Sequence, residues 1–199
     1  MTQQTVASLS AHARSGQLIS FPTDTVPAVA SLPQQAQKIF VAKGRSQSKS
    51  LILMGAKASD LWPYIKTDTP AFDTWRAIAD HYWPGAVTLV LPASPLVPQV
   101  MHPQTPDTLG IRVPDCAIAR LILEQTGPLA TTSINRSGQA ALTRIDTIES
   151  EFPDVFVPLT EFWPEPPERA IASTVVEWQE QGWITHRQGQ VKFSPTLIP

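Results

Sequence analysis

Apolar positions fall at helical spacing in some stretches and in short unbroken runs in others, and the two patterns alternate along the chain. Across residues 5–14, Val6, Leu9 and Ala13 share one side and Gly16 follows as a stop, which predicts an amphipathic helix. Residues 17–21 read as a short apolar strand ended by Pro22, so Pro22-Thr23-Asp24-Thr25 is a loop at a strand end. Ala36, Ile39, Phe40 and Val41 cluster in a helix over 34–43, with Gly44 as its breaker. Further helices are predicted over 59–64, 70–82, 117–125 (capped by Asp115 and ended by Gly127) and 146–151. Apolar runs rich in β-branched residues predict strands over 51–54, 86–91, 109–113, 129–132, 173–178 and 183–186, the last two spaced like a hairpin. Strands mixed with helices throughout predict an α/β fold, one domain over residues 1–199, with a twisted mixed sheet and flanking helices. Residues 158–169, with Pro158, Pro164, Pro166 and Pro167, read as a loop within that domain.

Composition narrows the function classes. The 15 Lys+Arg and 17 Asp+Glu leave a net charge of −2 over 199 residues. A protein whose main task is coating nucleic acid needs many more phosphate contacts than that balance offers. A single cysteine, Cys116, excludes an intramolecular disulfide and any Cys-rich zinc site; a small buried residue at a helix start is its simplest reading. No run approaches the ~20 apolar residues of a membrane span. The first fifteen residues lack a basic segment followed by an apolar one, so a cytoplasmic protein without a signal peptide is expected. The 20 prolines cut the chain into short elements.

The placement of charge says more than its sum. Between Thr25 and Ser59 there is no acid, while Lys38, Lys43, Arg45, Lys49 and Lys57 are present. Between Asp146 and Glu168 stand seven acids and no Lys or Arg. The basic stretch is a candidate anion site, or simply an exposed face; the acidic one is a solvated surface.

The common nucleotide cradles, G-x-x-x-x-G-K-[ST] and G-x-G-x-x-G, are absent, as are H-E-x-x-H and G-x-S-x-G. His12, His81, His102 and His186 are scattered without metal-ligand spacing. Four segments remain. Phe21-Pro22-Thr23-Asp24-Thr25 offers hydroxyls and a carboxylate where α/β sheets tend to bind ligands. Lys43-Gly44-Arg45, followed by Lys49, could clamp a polyphosphate. In Gly110-Ile111-Arg112-Val113-Pro114 an arginine sits between β-branched residues inside a strand, as half of a structural salt bridge or as a carboxylate ligand. Residues 131–138, Thr-Thr-Ser-Ile-Asn-Arg-Ser-Gly, form a strand-end loop dense in hydroxyl and amide groups.

Taken together these segments resemble the YrdC/TsaC-like family. Its K-x-R…S-x-N signature stands here as Lys43-Gly44-Arg45 and Ser133-Ile134-Asn135, and its P-T-[DE]-T loop as Pro22 to Thr25. W-P-G-x-[VL]-T is matched by Trp83 to Thr88, G-[IV]-R-[VM]-P by Gly110 to Pro114, S-T-V by Ser173 to Val175, and R-x-G by Arg187 to Gly189. Each motif is weak alone. Their shared order, from about residue 4 to residue 190, is specific. The chain departs from the family where Val26 is followed by Pro27-Ala28-Val29 without the usual aromatic and glycine, at Ser46 for a proline, and at Met54 where many members place a histidine.

The resemblance implies a short, single-domain type with a concave basic face, and L-threonylcarbamoyladenylate synthesis from L-threonine, bicarbonate and ATP, with Mg2+ carried on the ATP phosphates. The product would feed t6A formation at position 37 of tRNA through downstream t6A-transfer proteins. By motif, Thr25, Arg112, Thr131 and Ser173 would contact threonine. Arg45, Lys49, Thr108, Ser133, Ala141 and Arg187 would line the ATP site. Lys43, Arg45, Ser133 and Asn135 form the catalytic signature. The competing expectations are a paralogue of the same fold using another acceptor, and a module binding tRNA or double-stranded RNA.

Overall fold

Successive residues of the inner strands enter different hydrophobic clusters, Leu53 and Ala130 one and Met54 and Leu129 the other, and this gives the sheet two faces. The computed structural model describes residues 2–101, 107–165, 170–180 and 182–195; His102, Pro166, Pro167 and Arg169 lie outside the described residues. In chain order the elements are β1 (Gln3–Gln4), α1 (Val6–Arg14), β2 (Ile19–Phe21), β3 (Ala28–Ser31), α2 (Gln37–Lys43), β4 (Ile52–Met54), α3 (Ala58–Leu61), α4 (Phe72–Tyr82) and β5 (Val87–Pro92). Then follow β6 (Thr108–Arg112), α5 (Ala117–Thr126), β7 (Leu129–Ser133), α6 (Ile145–Glu151), β8 (Val157–Pro158), β9 (Thr174–Gln179) and β10 (Gly182–Arg187). Short 3-10 turns punctuate the proline-rich connections, as at Pro33–Gln35 and Trp62–Tyr64.

Eight strands form one mixed sheet in the order β10-β9-β5-β6-β4-β7-β3-β2, with β4–β6 and β5–β9 parallel and the remaining pairs antiparallel. The predicted α/β class and mixed sheet are thus present. β1 and β8 make a separate two-residue parallel pair.

One face of the sheet presents Val29, Leu53, Leu89, Ile111, Ala130 and Val176 to a core shared with Ile39 and Phe40 of α2, Trp75 and Ile78 of α4 and Ile148 of α6. On the other face Ile19, Phe21, Ala28, Ala30, Met54 and Leu129 pack against Leu9 and Ala13 of α1 and Ala119, Ile122 and Leu123 of α5. Complete burial of each such Leu or Ile stabilises the fold by about 1.5–3 kcal/mol relative to exposure. The α1 and α5 cover belongs to the β2–β3–β7–β4 side. Toward β6 and β5 the same face carries polar residues such as Arg112 and Thr88, and the candidate site spans the boundary between the two regions.

Several sequence expectations need correction. β3 falls where no strand is predicted: alanine and serine have weak strand preference, and pairing with β2 and β7 on either side imposes the conformation. The helix expected over 59–64 divides into α3 and a 3-10 turn at Pro63. Asp115 does not cap α5. The cap position is Cys116, without a side-chain bond to the helix, and Asp115 instead pairs with Arg120 at 3.6 Å. The cap on α1 does form, with Thr5 accepting from the Ser8 N–H at 3.3 Å.

Candidate functional site

Strand alternation decides which side chains meet. On β6, Leu109 and Ile111 enter the first core, so Thr108, Gly110 and Arg112 stand on the opposite face. β4 places Ile52 beside Gly110 and Met54 beside Arg112, and β7 sets Thr131 beside Ile52. Across β5 and β9, Thr88 lies beside Val175, which pairs with Arg187 of β10. Of these residues, Ile52, Met54, Arg112, Thr131, Val175 and Arg187 line a cavity of about 200 Å3.

Arg112 is its anchor. The guanidinium is 2% exposed and makes three bonds: Nε donates to the Gly85 carbonyl at 2.9 Å, Nη1 to Thr25 Oγ1 at 2.8 Å and Nη2 to Asp24 Oδ1 at 2.6 Å. Burial pushes its pKa down from the ordinary value and Asp24 opposes that shift. Of the two sequence readings, the salt bridge is present. Two of the five guanidinium donors remain for a ligand. The motifs surrounding Arg112 are therefore parts of one structure. The Pro22–Thr25 loop supplies Asp24 and Thr25, with Thr23 Oγ1 accepting from the Thr25 N–H at 3.1 Å. The Trp83–Thr88 segment supplies the Gly85 carbonyl and is held by Trp83 Nε1 donating to the Val87 carbonyl at 2.7 Å.

Arg187 approaches from the other side. Its Nε donates to the Ser173 carbonyl at 2.9 Å and its Nη2 to Ser173 Oγ at 3.2 Å, while Ser173 Oγ also pairs with Thr88 Oγ1 at 2.9 Å. The closing glycine of that motif has a steric reason. A Cβ on Gly189 would lie 2.2 Å from the Ala172 carbonyl oxygen, so only glycine lets the two backbones meet.

The K-x-R…S-x-N signature forms a third cluster. α2 ends at Gly44, whose φ of 57° is left-handed, and this reversal sends Lys43 inward and Arg45 outward to the cavity. Lys43 is 2% exposed; its Nζ donates to Asn135 Oδ1 at 3.0 Å and to the Ser133 carbonyl. Asn135 Oδ1 also accepts from Ser133 Oγ at 2.7 Å, and its amide donates to the Arg136 and Gln139 carbonyls, both at 2.8 Å. Burial, aided by the nearby charges of Arg45 and Lys49, lowers the Lys43 pKa to about 7. Arg45 is oriented by the carbonyls of Lys49 at 3.3 Å and Ser50 at 3.0 Å.

Of the residues singled out by sequence, Thr25, Arg45, Arg112, Thr131, Ser133, Ser173 and Arg187 line the cavity. Lys43 and Asn135 stand directly behind Ser133. Lys49 is exposed next to Ser50, which does line it. Thr108 shares the face of Arg112 at the far end of β6, and Ala141 lies in the loop after β7; neither lines the cavity. Sequence reasoning left out Asp24 as the partner of Arg112, although it adjoins Thr25, and Ile52; Ala28 and Met54, marked in the sequence as departures from the family, form an apolar wall of the cavity with Ile52. Cys116 is half-buried, and burial pushes its thiol pKa up.

Charge and hydroxyls define what the cavity can do. Among the described residues, three arginines and no carboxylate line it, beside the hydroxyls of Thr25, Ser50, Thr131, Thr132, Ser133 and Ser173. Such a surface binds oxyanions: arginine grips a carboxylate or phosphate in a planar fork, and the half-buried setting strengthens the contact. Among the described residues no group of three His, Cys, Asp or Glu could hold a metal ion, and no helix is long and apolar enough to cross a membrane.

The chain matches known proteins over this same extent. The sequence model of the Sua5/YciO/YrdC family, described as telomere recombination, matches residues 11–189. A threonylcarbamoyl-AMP synthase of Rattus norvegicus is 30% identical over 181 residues, covering 86% of this chain and 62% of the rat protein. The structure of P. abyssi Sua5 complexed with L-threonine superposes with a TM-score of 0.82 at 28% identity, over 92% of this chain and 54% of that one. E. coli YciO has the same fold, with a TM-score of 0.80 at 22% identity over 96% and 91% of the two chains. This chain thus spans under two thirds of the rat relative's length. On the family match and the shared fold, the chain belongs to the Sua5/YciO/YrdC family.

Proposed function

We propose that this protein is a threonylcarbamoyl-AMP synthase, which makes threonylcarbamoyl-AMP and pyrophosphate from L-threonine, bicarbonate and ATP. The observation that carries the reading is the convergence of Arg45, Arg112 and Arg187 on one hydroxyl-lined cavity with no acid among the described residues of its lining. At about 200 Å3 the cavity suits an amino acid; it is smaller than the ~300–1,000 Å3 of a typical ligand cleft. The threonine carboxylate takes the remaining donors of Arg112, beside Thr25, Thr131 and Ser173. Buried hydroxyls left unpaired by alanine or valine favour a β-hydroxy amino acid.

The triphosphate then lies over Arg45, Ser133 and Arg187, with Lys49 at the exposed end and Thr108 and Ala141 toward the nucleoside. Lys43, held by Asn135, adds charge behind Ser133. These cations stabilise the negative charge that grows at the α-phosphorus as the carbamate attacks and pyrophosphate leaves. Attack of the threonine amine on bicarbonate-derived CO2 needs chiefly positioning. Mg2+ arrives on the phosphates, as it commonly does. On this reading residues 1–199 act as one domain in the cytoplasm, the product passes to t6A-transfer proteins acting on tRNA, and any tRNA or double-stranded RNA contact is secondary.

The test is pyrophosphate release from ATP, bicarbonate and Mg2+ with L-threonine, L-serine or no amino acid. Threonine-dependent release that collapses in Arg45→Ala and Arg112→Ala is expected. ATP binding without threonine dependence would instead favour a synthase using another acceptor, the reading to which the apolar wall of Ala28, Ile52 and Met54 points. RNA binding without ATP binding would overturn both.

A further inference from the structure

Thr88 is fully buried on β5, at the end of the Trp83–Thr88 segment, and the reaction outlined above gives its hydroxyl no task. Its methyl faces β6: a Cβ on Gly110 would meet Thr88 Cγ2 at 3.4 Å. A β-branched side chain has little freedom at χ1 once its methyl is seated. The hydroxyl is thereby turned toward the start of β9, where Thr88 Oγ1 and Ser173 Oγ stand 2.9 Å apart.

Counting donors sets the direction of that bond. A hydroxyl carries one proton and two lone pairs. Thr88 has no other side-chain partner among the described residues, and buried donors rarely go unpaired, so Thr88 donates to Ser173. Ser173 Oγ also accepts from Arg187 Nη2 at 3.2 Å, and both its lone pairs are then taken. Its own proton has no acceptor among the described residues. Ser173 is 4% exposed and lines the arginine cavity, so what remains to this hydroxyl is to donate into that cavity. Arg112 and Arg187 lie near enough for their charges to interact, and an anionic group beside Ser173 offsets that repulsion.

We propose that Thr88 is a positioning residue, which commits Ser173 to act as a hydrogen-bond donor to the carboxylate of the bound amino acid. An ammonium or hydroxyl proton of the substrate finds no lone pair on Ser173. The amino acid is therefore oriented with its carboxylate toward Arg112 and Ser173 and its amine turned away from Ser173. The identity of the ligand rests on the synthase reading; the direction of the Thr88–Ser173 bond does not.

The test is calorimetric titration of the full chain with L-threonine and, separately, with ATP and Mg2+. The parent is compared with Thr88→Val, Thr88→Ser, Ser173→Ala and the double variant Thr88→Val, Ser173→Ala. Valine keeps the methyl and removes the donor, whereas serine keeps the donor. Threonine affinity is expected to fall about tenfold in Thr88→Val and to stay within about twofold of the parent in Thr88→Ser. Thr88→Ala, which also lacks the donor, carries the same expectation should the valine variant not fold. In the Ser173→Ala background the valine substitution should cost nothing further, the sign of a residue that acts through another. ATP affinity should change less than about twofold in Thr88→Val, because Arg187 Nε keeps its bond to the Ser173 backbone carbonyl. Unchanged or tighter threonine binding in Thr88→Val would show that Ser173 accepts from the ligand and would overturn the proposal. An equal loss in Thr88→Ser, a further loss in the double variant, or an ATP loss matching that of threonine would also overturn it, the last by assigning the Ser173 proton to a phosphate. Each of these leaves the synthase reading standing if the parent releases pyrophosphate in response to threonine. A parent that binds no L-threonine overturns both.

Discussion

Asp24 and Arg112 meet at 2.6 Å, with the arginine side chain 2% exposed and the carboxylate 15%. Removing the carboxylate leaves a buried guanidinium that faces Arg187 without a counter-charge. Breaking a buried pair from one side costs about 3–5 kcal/mol. Asp24→Ala should fall at the low end, because the bonds from Arg112 to Thr25 and Gly85 persist. Asp24→Asn, which keeps an acceptor oxygen, should lose less. Urea denaturation checks the order: parent most stable, then Asn, then Ala.

Lys43 makes a pH-dependent prediction through its pKa of about 7, lowered from 10.5. Between those two values the unfolded chain binds the proton and the folded chain does not. The contribution of this residue to stability therefore rises with pH through that window, and below about 7 the penalty for burying the charge is fully present. A triphosphate bound beside Ser133 would favour the protonated amine, so ATP binding above pH ~7 should take up a proton. Calorimetric titration in buffers of different ionisation enthalpy measures the uptake. It should approach one proton about one pH unit above that pKa, diminish below it, and vanish in Lys43→Met.

The sequence patterns made the site's parts legible but not their pairing. Arg112 between Ile111 and Val113 marks a strand whose alternate face is polar, and Gly44 after Lys43 marks the end of a helix; both readings depend only on local spacing. Asp24 and Arg112 stand 88 positions apart, and nothing local to either one reports the other. β3 was illegible for a related reason. Ala28 to Ser31 lies between Pro27 and Pro33 with little strand preference of its own, and its neighbours β2 and β7 determine its state. The contact of Trp75 on α4 with Trp178 on β9 joins elements more than 90 residues apart, so it too exists only in the folded chain.

Gly189 should tolerate no side chain. Its Cβ would approach the backbone of Ala172 and Ser173 at 2.2–2.5 Å, and backbone cannot step aside as a flexible side chain can. Gly189→Ala should cost about 1–3 kcal/mol of stability through this overpacking. Because Ser173 is held by Arg187 at 2.9 Å, the same shift should loosen the Arg187 grip and weaken ATP binding. Thermal unfolding and nucleotide titration on one sample separate the two effects.

Met54 tests which part of the cavity meets the amino-acid side chain. It is 4% exposed, lines the cavity, and sits beside Arg112 across the β4–β6 pair. If the carboxylate is held by Arg112, the amino-acid side chain extends toward Met54 and Ile52. Met54→Ala then enlarges the wall at the point where one methyl group is judged, a contrast worth about 1–3 kcal/mol per methylene. The KM for L-threonine should rise about tenfold, and that for L-isoleucine should fall, while kcat for threonine changes little because the arginines are untouched. Stability should drop by about 2–5 kcal/mol, as for other buried methionine truncations, so assays belong well below the lowered melting temperature. Amino-acid-dependent pyrophosphate release, run across threonine, serine, valine and isoleucine, reads the change directly. An unchanged preference order would locate the amino-acid side chain on the Thr131–Ser133 side of the cavity instead.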